Sequence, residues 1–286
     1  MGWKSKSEPP KFLPAFPDGD DPGLGGIWKV AVNSGDVTMK VFTHDDFLSV
    51  YAGDPAASSG RIEAILNAVQ GKVDIEQALP ASREDILAVH TESLVKSVER
   101  EGVYNIAALA AGAAVQTALS ALKEASFGLI RPPGHHASPD YNWGFCYFNN
   151  MAIALEYLRS KGHIKTAHIL DFDLHYGDGT VNILGAKGYV SIHNPDESDR
   201  RHYLAEVAAR LDLLKVDIVG VSAGFDNHIE DWGHVLHTED YQEMGRMVAT
   251  TCRKLGIGCF GLLEGGYNHN VLGRNVLAFL RGLQGL

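Results

Sequence analysis

Cysteine is scarce. Three residues (Cys146, Cys252, Cys259) in a chain of 286 cannot build a disulfide framework, and none forms a CxxC pair, so buried reduced thiols are expected. No window approaches the ~18 uninterrupted apolar residues of a membrane span. The opening MGWKSKSEPPKF has no apolar signal core, and Lys6 stands where a myristoylation pattern takes Ser or Thr. A soluble, cytoplasmic protein without a membrane partner is the expectation. Basic residues are few: 25 Lys+Arg against 35 Asp+Glu leave a formal charge of −10, which argues against non-specific nucleic-acid binding and leaves room for a cationic substrate. With 45% apolar and 21% charged residues the remainder is ordinary globular usage.

Residues 1–36 hold Pro9, Pro10, Pro14, Pro17 and Pro22 together with a PDGDDPGLGG run, and are expected to form an N-terminal extension. Residues 37–286 are expected to form one catalytic domain, opening with an alternating strand at Val37–Thr43. From Val103 short apolar runs alternate with amphipathic ones. Helices are expected at Val103–Ala125, from Asn149 or Asn150 to Ser160, over Arg201–Leu214, after a Thr238 cap, and from about Val271. Strands are expected at Phe127–Ile130, Ala167–Leu170, Tyr189–Ile192, Asp217–Ser222 and Ile257–Leu263. This alternation implies an α/β fold with a mainly parallel sheet flanked by helices, and places ligands beyond the carboxyl ends of the strands.

Those strand ends carry the polar clusters. In Asp171-Phe-Asp-Leu-His-Tyr-Gly-Asp178, alternate residues of an extended backbone share a face, so Asp171, Asp173 and His175 can converge. A carboxylate and an imidazole suit Zn²⁺ or Fe²⁺, and Asp226, after the next glycine-rich strand end, can add a third ligand. Three protein ligands leave room for water, the arrangement of a catalytic metal. In Arg131-Pro-Pro-Gly-His-His-Ala137 a stiff bend can thrust His135 and His136 into a cleft, with Asp171 and Asp178 as their orienting carboxylates. Gly265-Gly-Tyr267 follows a buried strand, and the Tyr267 hydroxyl can serve a developing oxyanion.

RPPGHHA, GFCYFN at Gly144–Asn149, DFDLHYGDGT, SAGFD and LEGGYN, in that order, resemble the metal-dependent histone deacetylase family, which includes acetylpolyamine amidohydrolases and acetoin-utilisation-type proteins. The resemblance runs from about Val37 to the C-terminus. It implies a single-domain arginase/deacetylase-like fold and hydrolysis of an acylated amine such as acyl-lysine or an acetylpolyamine. It implies Asp173, His175 and Asp226 as ligands of Zn²⁺ or Fe²⁺. It also implies His136 as general base and acid with His135 as electrostatic partner, and Asp171 and Asp178 behind His135 and His136. Tyr267 would polarise the acyl carbonyl, and Gly144 and Phe145 would form the channel wall. An inner K⁺ site is implied around Asp171, Asp173, His175, Ser191 and Ile192.

The chain departs from that pattern after His193, where the family has a long glycine-rich loop and a further strand and helix. The second aromatic wall is therefore unassigned, and a more open site is expected, with Phe225 and Trp232 as candidates for rim or core. Asn227-His228 follows Asp226 where an arginase places a second metal ligand, which argues against a two-metal ureohydrolase. The alternatives are a deacetylase-like scaffold that binds acylated ligands with little turnover and, against that departure, an arginase-like ureohydrolase.

Overall fold

A computed structural model describes residues 39–286. The expected extension over 1–36, and Val37 and Thr38 of the expected first strand, lie outside the described residues. Among the described residues seven strands form one all-parallel sheet: β1 Met39–Thr43, β2 Val73–Gln77, β3 Ser126–Gly128, β4 Ala167–Asp171, β5 Val190–His193, β6 Ile218–Ala223 and β7 Gly258–Leu263. Their order is β2-β1-β3-β7-β6-β4-β5. The central strands β4, β6 and β7 are buried at every position, because helices cover both faces of a parallel sheet. That is why IVGVSA and GCFGLL read as unbroken runs of apolar and small residues.

The helices are α1 Arg61–Val69, α2 Arg83–Leu87, α3 Glu92–Arg100, α4 Tyr104–Ala121, α5 Asn150–Ser160, α6 Asp178–Leu184, α7 Arg200–Asp212, α8 Thr238–Leu255 and α9 His269–Gln284. The alanine-rich α4 packs on β1, β3 and β7, with α5 against it, while α8 lies on β6 and β7 with α9 along it. A Cβ at Gly112 of α4 would sit 2.0 Å from the Leu79 carbonyl oxygen, so the helix meets that segment at backbone distance.

Asn149 caps α5, its side chain accepting from Ala152 N at 2.9 Å, and Gly162 beyond the helix takes φ +76°. The expected Thr238 cap is displaced by one residue. His237 is the N-cap, its backbone N–H bonded to Asp240 Oδ2 at 2.7 Å, and Thr238 begins the helix with its hydroxyl turned to Asn275. Between β5 and β6 the chain has residues 194–199, α7 and residues 213–217, and no further strand.

Candidate active site and metal centre

The four adjacent central strands β3, β7, β6 and β4 end at the same edge of the sheet, and their following segments build the site. Asp171 closes β4, and the loop after it carries Asp173 and His175 before Asp178 opens α6. Beyond β6 comes Asp226, and beyond β7 come Glu264 and Tyr267. The segment after β3 runs through a cis Arg131–Pro132 bond into His135 and His136.

Asp173, His175 and Asp226 offer ligand atoms that all lie within 4.8 Å of one another. His175 Nδ1 is 3.2 Å from Asp173 Oδ1 and 3.1 Å from Asp226 Oδ2. Asp173 Oδ2 accepts from Gly265 N at 2.8 Å, and Asp226 Oδ1 accepts from Leu174 N at 3.1 Å. Asp226 Oδ2 is buried without a hydrogen bond of its own, although His175 lies beside it. The close approach of the Asp173 and Asp226 carboxylates holds His175 up at about 10, while burial and the Asp173 charge push Asp226 up to about 6. Both shifts reflect a surplus of buried negative charge, which a cation would balance. An orphaned carboxylate oxygen and a mixed carboxylate–imidazole set fit a borderline divalent ion.

His135 and His136 are both buried, their rings 4.1 Å apart between centroids. His135 Nδ1 lies 3.2 Å from Asp171 Oδ2, and His136 Nδ1 2.7 Å from Asp178 Oδ1. Each carboxylate accepts, so each Nδ1 carries the proton and His136 Nε2 keeps its lone pair. Burial opposes charge on His135, but Asp173 and Asp171 outweigh it and raise its pKa well above the ordinary value. Burial and the His135 charge instead lower His136 to about 4. Two neighbouring imidazoles are thus driven apart into a charged partner and a neutral base.

Tyr267 is held edge-on to Phe145, at 5.9 Å between centroids, and is stacked on Trp232 at 4.1 Å. Burial and the charges of Asp173 and Asp226 raise its pKa well above the ordinary value, so the phenol keeps its proton. Gly144 and Phe145 take φ +60° and +66°, a turn that folds round His136: a Cβ on Gly144 would lie 2.3 Å from His136 Cδ2. Trp232, 46% exposed, stands on the rim, whereas Phe225 is core, packed on Phe172 and Tyr241. Both His228 nitrogens are engaged, with Glu230 N and the Thr238 hydroxyl, so His228 supplies no second metal site.

Of the residues expected at the K⁺ site, Asp171, Asp173 and His175 follow one another from the end of β4, and Ser191 and Ile192 lie on the neighbouring β5, where the Ser191 hydroxyl is bonded to His168 Nδ1 at 2.8 Å. All three cysteines are free and buried. Three supporting residues had no signal in the sequence. Glu264 Oε2 accepts from Gly134 N at 2.7 Å and His135 N at 3.2 Å, fixing the histidine bend. His90 bridges Ser138 O and Asn149 N. Trp143 lies over His136. Among the described residues no helix is long and apolar enough to cross a membrane.

Known proteins resemble this chain over most of its length. The family model described as the histone deacetylase domain matches residues 56–203 and 194–283. The two matches meet over the short segment after β5. A probable deacetylase of Methanothermobacter thermautotrophicus is 33% identical over 286 aligned positions, covering 80% of this chain and 85% of that one. An acetylpolyamine amidohydrolase of Mycoplana ramosa is 31% identical, covering 58% of this chain and 59% of its own. The solved HDA15 HD domain superposes with a TM-score of 0.75 at 23% identity, over 87% of this chain and 90% of that one, a likeness of fold.

Proposed function

Because the chain belongs to the histone deacetylase domain family, we propose that it is a metal-dependent amidohydrolase that removes an acetyl or other acyl group from an amine. The observation that carries this reading is the neutral His136 imidazole, backed by the Asp178 carboxylate and facing the Asp173, His175 and Asp226 cluster, with the His136 and His175 rings 6.0 Å apart.

A divalent ion such as Zn²⁺ or Fe²⁺, held by Asp173, His175 and Asp226, would acidify water toward a pKa of ~7 and polarise the acyl carbonyl. His136 Nε2 takes the proton of the attacking water and returns it to the nitrogen of the departing amine as the C–N bond breaks. Asp178 fixes the His136 tautomer throughout. Tyr267 donates its hydroxyl proton in a hydrogen bond to the oxygen that gains charge, a contribution of about 2.7–4 kcal/mol for one such donor. His135, paired with Asp171, sets a positive charge beside the base. Gly144 and Phe145 form one wall for the acyl-bearing chain. K⁺ near Asp171, Asp173, His175, Ser191 and Ile192 belongs to the same proposal and would appear as potassium-dependent activity. The amine is acyl-lysine or an acetylpolyamine: relatives include acetylpolyamine amidohydrolases, and the net charge of −10 favours a cationic substrate.

The test is acid release by Zn²⁺- or Fe²⁺-loaded protein from acyl-lysine peptides and acetylated polyamines, with Tyr267→Phe alongside. The expected result is turnover that falls about 10²–10³-fold in the variant. Metal-loaded protein that releases nothing from any substrate would overturn the enzyme reading and leave the binding scaffold.

A further inference from the structure

We propose that Trp143 is a positioning residue that locks the His136–Asp178 pair from the solvent side of the cleft. This rests on the reading of His136 as the proton carrier. Trp143 is 50% exposed, yet it is no bystander of the surface. Its indole lies over the imidazole of His136, with centroids 3.9 Å apart and planes 33° apart. The indole N–H is not left to water: it donates to Asp178 Oδ2 at 2.9 Å. The other oxygen, Oδ1, takes the His136 Nδ1 proton at 2.7 Å. Indole, carboxylate and imidazole therefore close a triangle in which each member touches the other two. Any rotation of the Asp178 carboxylate breaks both hydrogen bonds at once.

The backbone is shaped for this contact. Cys146 N donates to Trp143 O at 3.1 Å, closing a turn whose middle residues, Gly144 and Phe145, both have positive φ. At Phe145 that conformation is one a non-glycine side chain seldom takes. The turn clasps His136 from two sides, the Gly144 backbone against Cδ2 and the Trp143 ring over the face. The Asp178 side chain is 28% exposed, whereas that of His136 is only 4% exposed. Without the indole, water would compete for Asp178 Oδ2 and reach the open face of the base. A tryptophan that served only as rim would not spend its single donor on the carboxylate behind the base.

The test compares Trp143→Phe, which keeps a ring but loses the donor, with Trp143→Ala, Asp178→Asn and the Trp143→Phe/Asp178→Asn double variant. Metal-loaded protein is used throughout, and folding is checked by circular dichroism and Tm. Trp143→Phe should lower kcat about ten- to hundredfold, the range for losing a hydrogen bond to a charged group, with KM held within about threefold. The double variant should be little worse than Asp178→Asn alone, because Trp143 acts through that carboxylate. Unchanged kcat in Trp143→Phe, or effects that multiply in the double variant, would overturn the proposal. An activity-free readout separates its failure from that of the amidohydrolase reading. In ¹⁵N-labelled protein the downfield His136 Nδ1 proton should be sharp in the parent and broadened or lost in Trp143→Phe. An unaltered signal in that variant sinks the proposal even if no substrate is ever turned over.

Discussion

Gly265 matters to the proposed metal centre as much as the carboxylates it faces. Its N–H donates to Asp173 Oδ2, and a Cβ there would lie 2.6 Å from both Asp173 Oδ2 and Asp226 Oδ2. Gly265→Ala should therefore push the two carboxylates apart, cost about 1–3 kcal/mol of stability, and leave less than about half an equivalent of Zn²⁺ after dialysis. Metal analysis together with urea unfolding would check both parts. The Asp173, His175 and Asp226 cluster, the paired histidines and Tyr267 could be proposed from the sequence because each sits at a strand end in a residue type with its own chemistry. Trp143, His90 and Glu264 could not, since each has its role only through a partner 35, 59 or 130 residues away. An isolated tryptophan before a glycine says nothing of the carboxylate it will meet.

Between α2 and α3 a single buried histidine fastens the segments that carry the site. His90 Nδ1–H donates to Ser138 O and Nε2 accepts from Asn149 N, both at 2.9 Å, so both nitrogens are used by the neutral ring. Burial lowers its pKa to about 4, below the ordinary 6.5. The unfolded chain thus binds the proton first. The stability contributed is complete above about pH 6.5, is lost as pH falls from 6.5 to about 4, and levels off below that, for a total of about 3 kcal/mol. His168, also lowered to about 4 by burial, titrates in the same window. Urea midpoints at pH 7.5 and 5 should differ, and the difference should shrink in His90→Gln. At this scale the sequence was most legible where an element is buried on both faces, as in β6 and β7. It was least legible at β2, where VDIEQ is largely exposed at the sheet edge and offers only Val73 and Ile75 as an apolar face. The misplaced Thr238 cap has a similar cause: a threonine side chain near a helix start can turn inward to Asn275 as readily as back to the helix.

Across the whole molecule, the proposed ligands come from two different strand ends, so a bound ion would tie β4 to β6. Saturating Zn²⁺ at about 100 times Kd should add about 2.7 kcal/mol, and chelation should lower Tm by roughly 5–10 °C. Differential scanning calorimetry with and without a chelator would measure it. A protein whose Tm ignores both Zn²⁺ and Fe²⁺ would not have this centre.

The parallel sheet also sets when activity can appear during folding. Phe127 pairs with Gly261 across β3 and β7, and this is the pairing that brings the histidine bend beside Tyr267. Contacts so distant along the chain close slowly, whereas α4 and α8 can form from local contacts alone. In refolding from urea, helical circular dichroism should return well before turnover. Early collapsed chains would hold both histidines and the metal ligands, yet not in one place. Until β7 docks, the nascent protein is a hydrolase in composition only, and fragments that end before it should remain catalytically silent.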